Sequence, residues 1–234
     1  MFCMLTIVRY PKYMGFFGVL SMALFRITLS LNKRIEFWKL LGCGKNGTFD
    51  KRPDWRQWGI LAVTKKRPGV RECLVLYGSF INKWWEICQC EVYTILLEPI
   101  EGHGRWDGKE VFGTLSGKSD YDGPLAVLTR ATIRLMRLKN FWKHVEGVAE
   151  KMRSAPGFIM SVGVGEIPWI KQATFSVWES KEDIKAFAYE SQEHAAVIRK
   201  TRQENWYRED MFIRFKILGT SGTLSGVNPL RGKL

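Results

Sequence analysis

Two runs decide how this chain folds: Phe37-Trp38-Lys39-Leu40-Leu41-Gly42-Cys43-Gly44 and Phe158-Ile159-Met160-Ser161-Val162-Gly163-Val164-Gly165. Each is a short apolar stretch of strand character ending in Gly-x-Gly. The segments after them also correspond. QWGILAV (57–63) answers QATFSVW (172–178), and VYTILL (92–97) answers FIRFKIL (212–218). Trp85 and Trp206 precede those last strands at equivalent places. The shared order and near-constant offset mark an internal repeat.

Ahead of these runs, each half opens with a strand and a helix, at residues 4–10 and 13–31 in the first and 124–134 and 138–154 in the second. Pro156-Gly157 ends the helix before it, because proline cannot continue a helix and glycine accepts the turn. Ser180 with Asp183 three residues on starts the last one. The order β-α-β-β-α-β, twice, predicts an α+β fold of two tandem ferredoxin-like units whose sheets cover each other as a barrel-like core. The units span 1–101 and 124–219. A glycine-rich, charged linker joins them at 102–123, and 220–234 reads as a flexible tail.

Composition bounds the class. Apolar residues make up 46% of the 234 and charged ones 25%, a globular rather than disordered balance. The net charge of +13 draws the chain to polyanions, whether nucleic acid or anionic membrane. The five cysteines lack a disulfide or zinc spacing and read as free thiols of a reduced, cytoplasmic protein. Residues 14–31 are nearly long enough to span a bilayer, but Arg26 lies inside them. They read as a buried or surface-seeking helix, with peripheral membrane contact in view.

Three histidines carry the candidate chemistry. His103 lies in the linker and is assigned no role. His144 shares a helix face with Phe141 and Val148, as a core-edge or a pocket residue. His194 recurs with Ile184, Phe187, Ser191, Ile198 and Thr201 at three- and four-residue steps on a helix over 181–206, which turns it inward. A neutral imidazole on an apolar face can ligate a metal or haem iron, or it can be a core residue bonded to a backbone carbonyl. Arg199 and Arg202 come after it and Arg130 lies on a neighbouring strand; arginine forks suit carboxylates such as haem propionates. Trp178, Trp206 and Tyr207 are candidates for an apolar wall. Gly163-x-Gly165 lacks the third glycine and following helix of a dinucleotide site; its glycines permit a turn or a close approach of backbone to a ligand. No nucleophile elbow, P-loop or zinc-protease motif occurs, so hydrolysis and phosphoryl transfer are unsupported.

The runs LTRATIR (128–134), FWKHV (141–145), SVGVGE (161–166), QATFSVW, FAYESQEH (187–194) and ENWYREDMFIRF (204–215), with GRWDG (104–108) and FWKLLGCG in the first half, resemble the spheroidene monooxygenase family. The N-terminal helix and residues 65–89 match it weakly. The resemblance implies a dimeric α+β barrel within one chain and an oxygen-dependent enzyme that inserts keto groups into acyclic carotenoids. Haem iron is the implied cofactor, with molecular oxygen, a small apolar substrate and an unidentified electron donor as partners. It implies His194 as metal ligand and matches His144 as a distal or structural residue; on that hypothesis Arg199, Arg202, Trp206 and Tyr207 are the further cofactor-binding candidates, and His144 and Arg130 the catalytic ones. The alternatives are a cofactor-free monooxygenase of the same barrel class and a basic nucleic-acid-binding module. The second is disfavoured because the aromatic pattern of RNA-binding sheets is missing.

Overall fold

Alternation of side chains along the strands sets the architecture. The first half contains β1 (Phe2–Arg9), α1 (Gly15–Leu31), β2 (Phe37–Gly44), β3 (Pro53–Thr64), the short α2 (Cys73–Leu76), α3 (Ser79–Ile87) and β4 (Glu91–Gly104). The second contains β5 (Leu125–Ile133), α4 (Leu138–Arg153), β6 (Phe158–Ile167), β7 (Lys171–Trp178), α5 (Lys181–Lys185) and β8 (Tyr207–Gly222). This computed structural model describes residues 1–45, 47, 51–115, 117–190, 200–201 and 203–234. The predicted β-α-β-β-α-β order is present in both halves.

The strands close into one antiparallel barrel in the order β1-β3-β2-β6-β7-β5-β8-β4. Each half contributes a four-stranded sheet, and the halves meet at two seams. One is the long β4–β8 ladder from Tyr93–Gly222 to Gly104–Met211. The other is the short β2–β6 contact, where Gly42 faces Gly165 and Cys43 faces Val164. The repeated Gly-x-Gly runs are therefore the second seam. Inward-facing Leu5, Leu41, Val63, Ile95, Leu128, Val162, Phe175 and Ile213 belong to one continuous core. A barrel of eight strands is just filled by its own side chains.

Two segments differ from expectation. The linker begins one strand-end later, since β4 runs to Gly104, and Trp106, Val111 and Phe112 then pack into the barrel core. The tail is not loose: β8 continues to Gly222, and Leu230 is 1% exposed within the same core. Both segments form the same turn, Trp106 to Lys109 and Leu224 to Val227. In each turn the two central residues take positive φ, Asp107 and Gly108 in one and Ser225 and Gly226 in the other. That is the geometry of a tight hairpin turn. Each turn is held by a carboxylate at the start of the other half's last strand. Glu209 accepts from the backbone N–H of Asp107 (3.1 Å) and Gly108 (2.8 Å), and Glu91 from those of Ser225 (2.9 Å) and Gly226. The halves thus clasp each other reciprocally. Glycine and serine content alone gives no sign of these long-range partners.

The last helix also differs. Ser180 caps it, accepting from the N–H of Asp183 at 3.1 Å. After α5 comes a π turn at Ala186–Glu190. Such a turn inserts an extra residue, so a stripe counted from Ile184 cannot set the phase beyond it. The five cysteines are free thiols, four of them buried.

Because Leu230 fills the core, Leu230→Ala should lower the unfolding free energy by about 2–5 kcal/mol in a urea titration. A mobile tail would leave the midpoint unchanged.

Candidate active site

The two halves differ most on the outward face of their sheets. In the first half that face carries large apolar side chains, among them Met4, Val8, Leu40, Ile60 and Leu96. With Phe25, Leu29, Ile81 and Trp85 from the covering helices they form one continuous cluster. In the second half the buried covering residues that are described fall into two groups. Leu125, Val127, Met152, Trp178 and Ile184 form one cluster, and Ile133, Phe141, Trp142 and Trp206 form another.

Between these clusters the strands present small or polar residues outward: Thr129 and Ala131 on β5, Thr174 and Ser176 on β7, Ser161 and Gly163 on β6. The alternation arises from Leu128, Phe175 and Val162, which point inward. Helix α4 reaches from one cluster to the other, anchored by Phe141 and Trp142 at its start and Met152 at its end. The loop after β2 joins from the first half: Ser161 donates to the carbonyl of Gly47 at 2.7 Å, and the Trp169 indole to that of Lys51 at 3.3 Å. The Trp142 indole in turn donates to the Trp169 carbonyl. Both halves therefore build the surroundings of this floor.

His144, Trp206 and Tyr207 are brought together. The His144 ring lies 5.5 Å from the Trp206 ring, and Phe141 is 6.1 Å from Tyr207. His144 Nδ1 is 2.7 Å from the carbonyl oxygen of Asn140, which only accepts, so the proton sits on Nδ1 and Nε2 carries the lone pair. Nε2 faces the Lys200 ammonium at 3.4 Å. Trp206 is fully buried and donates to Glu204 at 2.7 Å. Burial pushes the Tyr207 phenol up, so it stays protonated. Trp178 is placed in the opposite cluster, against Phe158 and Phe187. His194, Arg199 and Arg202 lie outside the described residues.

Arg130 is not with them. It points into the barrel, on the other side of the sheet, and is 1% exposed. It donates to Glu209 at 2.8 Å, approaches Asp107 and Glu166 at 3.4 Å, and stacks over Trp106 at 5.1 Å. Lys39 pairs with Glu166 and Asp107, Lys171 pairs with Asp107, and the Trp106 indole donates to Glu166. Arg130 thus belongs to a charge lattice that closes one mouth of the barrel, and the reading that sets it beside a cofactor's carboxylates is corrected. Strand parity explains it: Arg130 is two residues past inward-facing Leu128. Partial burial pushes the Asp107 carboxyl up, but hydrogen bonds and charge from Lys171 and Lys39 outweigh that and hold it at about 2.

The sequence reading missed the lattice and the small-residue floor. Parity within SVGVGE and QATFSVW could have found the floor, since Ser161, Gly163, Thr174 and Ser176 occupy alternate positions there. The floor is built of small side chains, and the buried Thr174 Oγ1 has no hydrogen-bond partner among the described residues.

Known proteins resemble the chain over both halves, and a family model matches within the second. Residues 126–214 match a model described as a domain of unknown function, DUF3291. Over the whole length the chain is similar to the spheroidene monooxygenase of Rhodobacter capsulatus, 32% identical over 232 residues that cover 98% of this chain and 95% of that one. The spheroidene monooxygenase of Cereibacter sphaeroides is also 32% identical, over 97% of this chain and 69% of the relative. Among solved structures, an aldoxime dehydratase superposes with a TM-score of 0.64 at 10% identity, covering 100% of this chain and 87% of that one, which supports the fold.

The lattice can be tested at two of its members. Arg130→Met removes the buried central cation from carboxylates that are themselves partly exposed, and should lower stability, measured by chemical denaturation, by less than the roughly 3–5 kcal/mol of a fully buried pair. Asp107 has a folded-state value below its ordinary 3.8, so its stabilisation is complete above that pH and fades as pH falls toward 2. Asp107→Asn should therefore lower the melting temperature at pH 5–7, with the gap to wild type closing on acidification. A gap that stays constant from pH 5 down to pH 2 would contradict this.

Proposed function

The chain belongs to the spheroidene monooxygenase family and is an oxygen-dependent monooxygenase, and from there we propose that it uses haem to insert a keto or hydroxyl oxygen into a long apolar substrate such as an acyclic carotenoid. The observation that carries this reading is the outward strand face of the second half. Where the strands of the first half present large side chains, those of the second present Gly163, Ala131, Thr174 and Ser176.

In this reading His194 would ligate the iron, Arg199 and Arg202 would pair with the propionates, and Trp206 and Tyr207 would wall the site. When bound, haem would supply the metal at which oxygen is held and activated, tuned by its axial ligand and the polarity around it. The chain's own residues do the rest. His144 keeps its proton at Nδ1 through Asn140 and presents Nε2 as an acceptor to Lys200. Trp178 and Trp206 exclude water from either end of the floor. An electron donor is required, and peripheral contact with a membrane would give access to a lipid-like substrate.

The test is a visible-absorption titration of the purified chain with haem. A saturable Soret band at one equivalent is expected, lost in His194→Ala and weakened in Gly163→Leu, which fills the floor. A band that survives His194→Ala removes that ligand. A folded wild type without a band overturns the haem reading and leaves a cofactor-free monooxygenase, whose substrate itself passes electrons to oxygen.

A further inference from the structure

Helix α1 is packed inside out. The stripe it buries against the sheet is Gly18, Ser21, Phe25 and Leu29, two of them small. A Cβ at Gly18 would run into the Trp58 indole, so the helix lies pressed close to β3 on its small side. Ser21 satisfies its hydroxyl internally, donating to the Gly18 carbonyl at 2.7 Å. The opposite stripe reads Phe16, Leu20, Ala23, Ile27 and Leu31, at steps of four, three, four and four. These are the positions where a surface helix places its charged residues. Phe16 is 73% exposed, Ile27 64% and Leu31 77%. The apolar face continues onto α3, where exposed Phe80 packs beside Phe25 and Trp84 beside Phe17. An exposed apolar surface on this scale marks an interaction site.

Charge identifies the occupant. Lys12, Arg26, Lys33, Arg34 and Lys83 flank the face and are exposed. None of the five forms an ion pair among the described residues. Of the nearby acids, Glu36 is engaged by Lys65 at 3.2 Å, and Glu86 remains on α3. A second copy of the chain docked here would set these cations against themselves. An anionic lipid surface would complement them and accept the aromatic and aliphatic side chains below its headgroups. No helix among the described residues is long and apolar enough to cross a membrane. At 17 residues, roughly 25 Å, α1 suits lying flat on one.

We propose that the outward face of α1 and α3 docks the protein onto the surface of an anionic bilayer. This deepens the functional reading, and rests on it only for the claim that the substrate is drawn from the lipid; the docking rests on the helix itself. The experiment is co-sedimentation of the full chain with vesicles of phosphatidylcholine alone or mixed with phosphatidylglycerol. Phe16→Ser with Ile27→Ser, and Lys33→Glu with Arg34→Glu, serve as variants, their folding followed by circular dichroism. These side chains are exposed, so the fold should persist.

Wild type should bind the anionic vesicles at least about tenfold more tightly than the neutral ones, and each double variant should lose about tenfold or more. Three results would overturn the proposal. One is no sedimentation of wild type. Another is binding lost on charge reversal but untouched by the apolar substitutions, which would mean general attraction to polyanions, RNA included. The third is a dimer in light scattering that the apolar substitutions dissolve, which would mean that a second copy covers the face. Activity separates this from the enzymatic reading. A variant that no longer sediments yet oxidises detergent-dispersed substrate supports both, whereas wild type that sediments without oxidising anything supports the docking alone.

Discussion

Gly42 lies directly across from Gly165, and Cys43 across from Val164; without this short pairing the two sheets would share only the β4–β8 ladder. An open sheet would expose unpaired N–H and C=O groups along β2 and β6 and leave an apolar face in water. Closure removes both costs at once, because the inward side chains of each half become the cover for the other. At Gly165 a Cβ would meet the Lys171 carbonyl oxygen at 2.9 Å, so glycine there is set by the neighbouring β7. Everything else in the molecule presupposes that closed cylinder, including the turns that clasp it and the charges that stopper one mouth.

Closure also frees the outer faces to diverge. The first half uses its outer layer for stability and packs it with large apolar groups against α1 and α3. The second half keeps the same strand order but replaces that packing with small and hydroxyl-bearing residues between two aromatic clusters. A small residue at such a strand position forgoes roughly 1.5–3 kcal/mol relative to a buried large one. A barrel core shared by both halves can carry that deficit, so the two outer faces need not match. Gly47 and Lys51, in the loop after β2, accept from Ser161 and Trp169, so the first half also borders the small-residue floor.

The mouth lattice shows how buried charge is tolerated. Arg130 is nearly inaccessible, and its guanidinium is met by carboxylates from three separate segments and by the face of Trp106. Lys39 and Lys171 share the same acids. Such an arrangement withstands burial because each charge has hydrogen-bonded partners, and it fails if one central member is removed. Its members come from β2, β5, β6, β7, β8 and the segment after β4, so it also records that the barrel is correctly closed.

The elements and their order were legible in the amino-acid sequence. The repeat around Gly42 and Gly163, the strand alternation, the Ser180 cap and the helix stop at Pro156-Gly157 are all local. Backbone preference and side-chain periodicity act over a few residues, so a linear string displays them. Of the candidate residues picked out by spacing and motif, His144, Trp206 and Tyr207 lie in one aromatic group of the fold. It took the folded chain to establish that Arg130 faces the barrel instead of the site, that the glycine-rich linker and tail are packed clasps, and that α1 turns its larger side chains outward. Each of those outcomes depends on a partner far away in sequence: Glu209 for Arg130, Glu91 for the tail, Trp58 for Gly18. Composition reports what a segment prefers when alone, whereas the lowest free energy belongs to the chain in which distant carboxylates and rings are already in place.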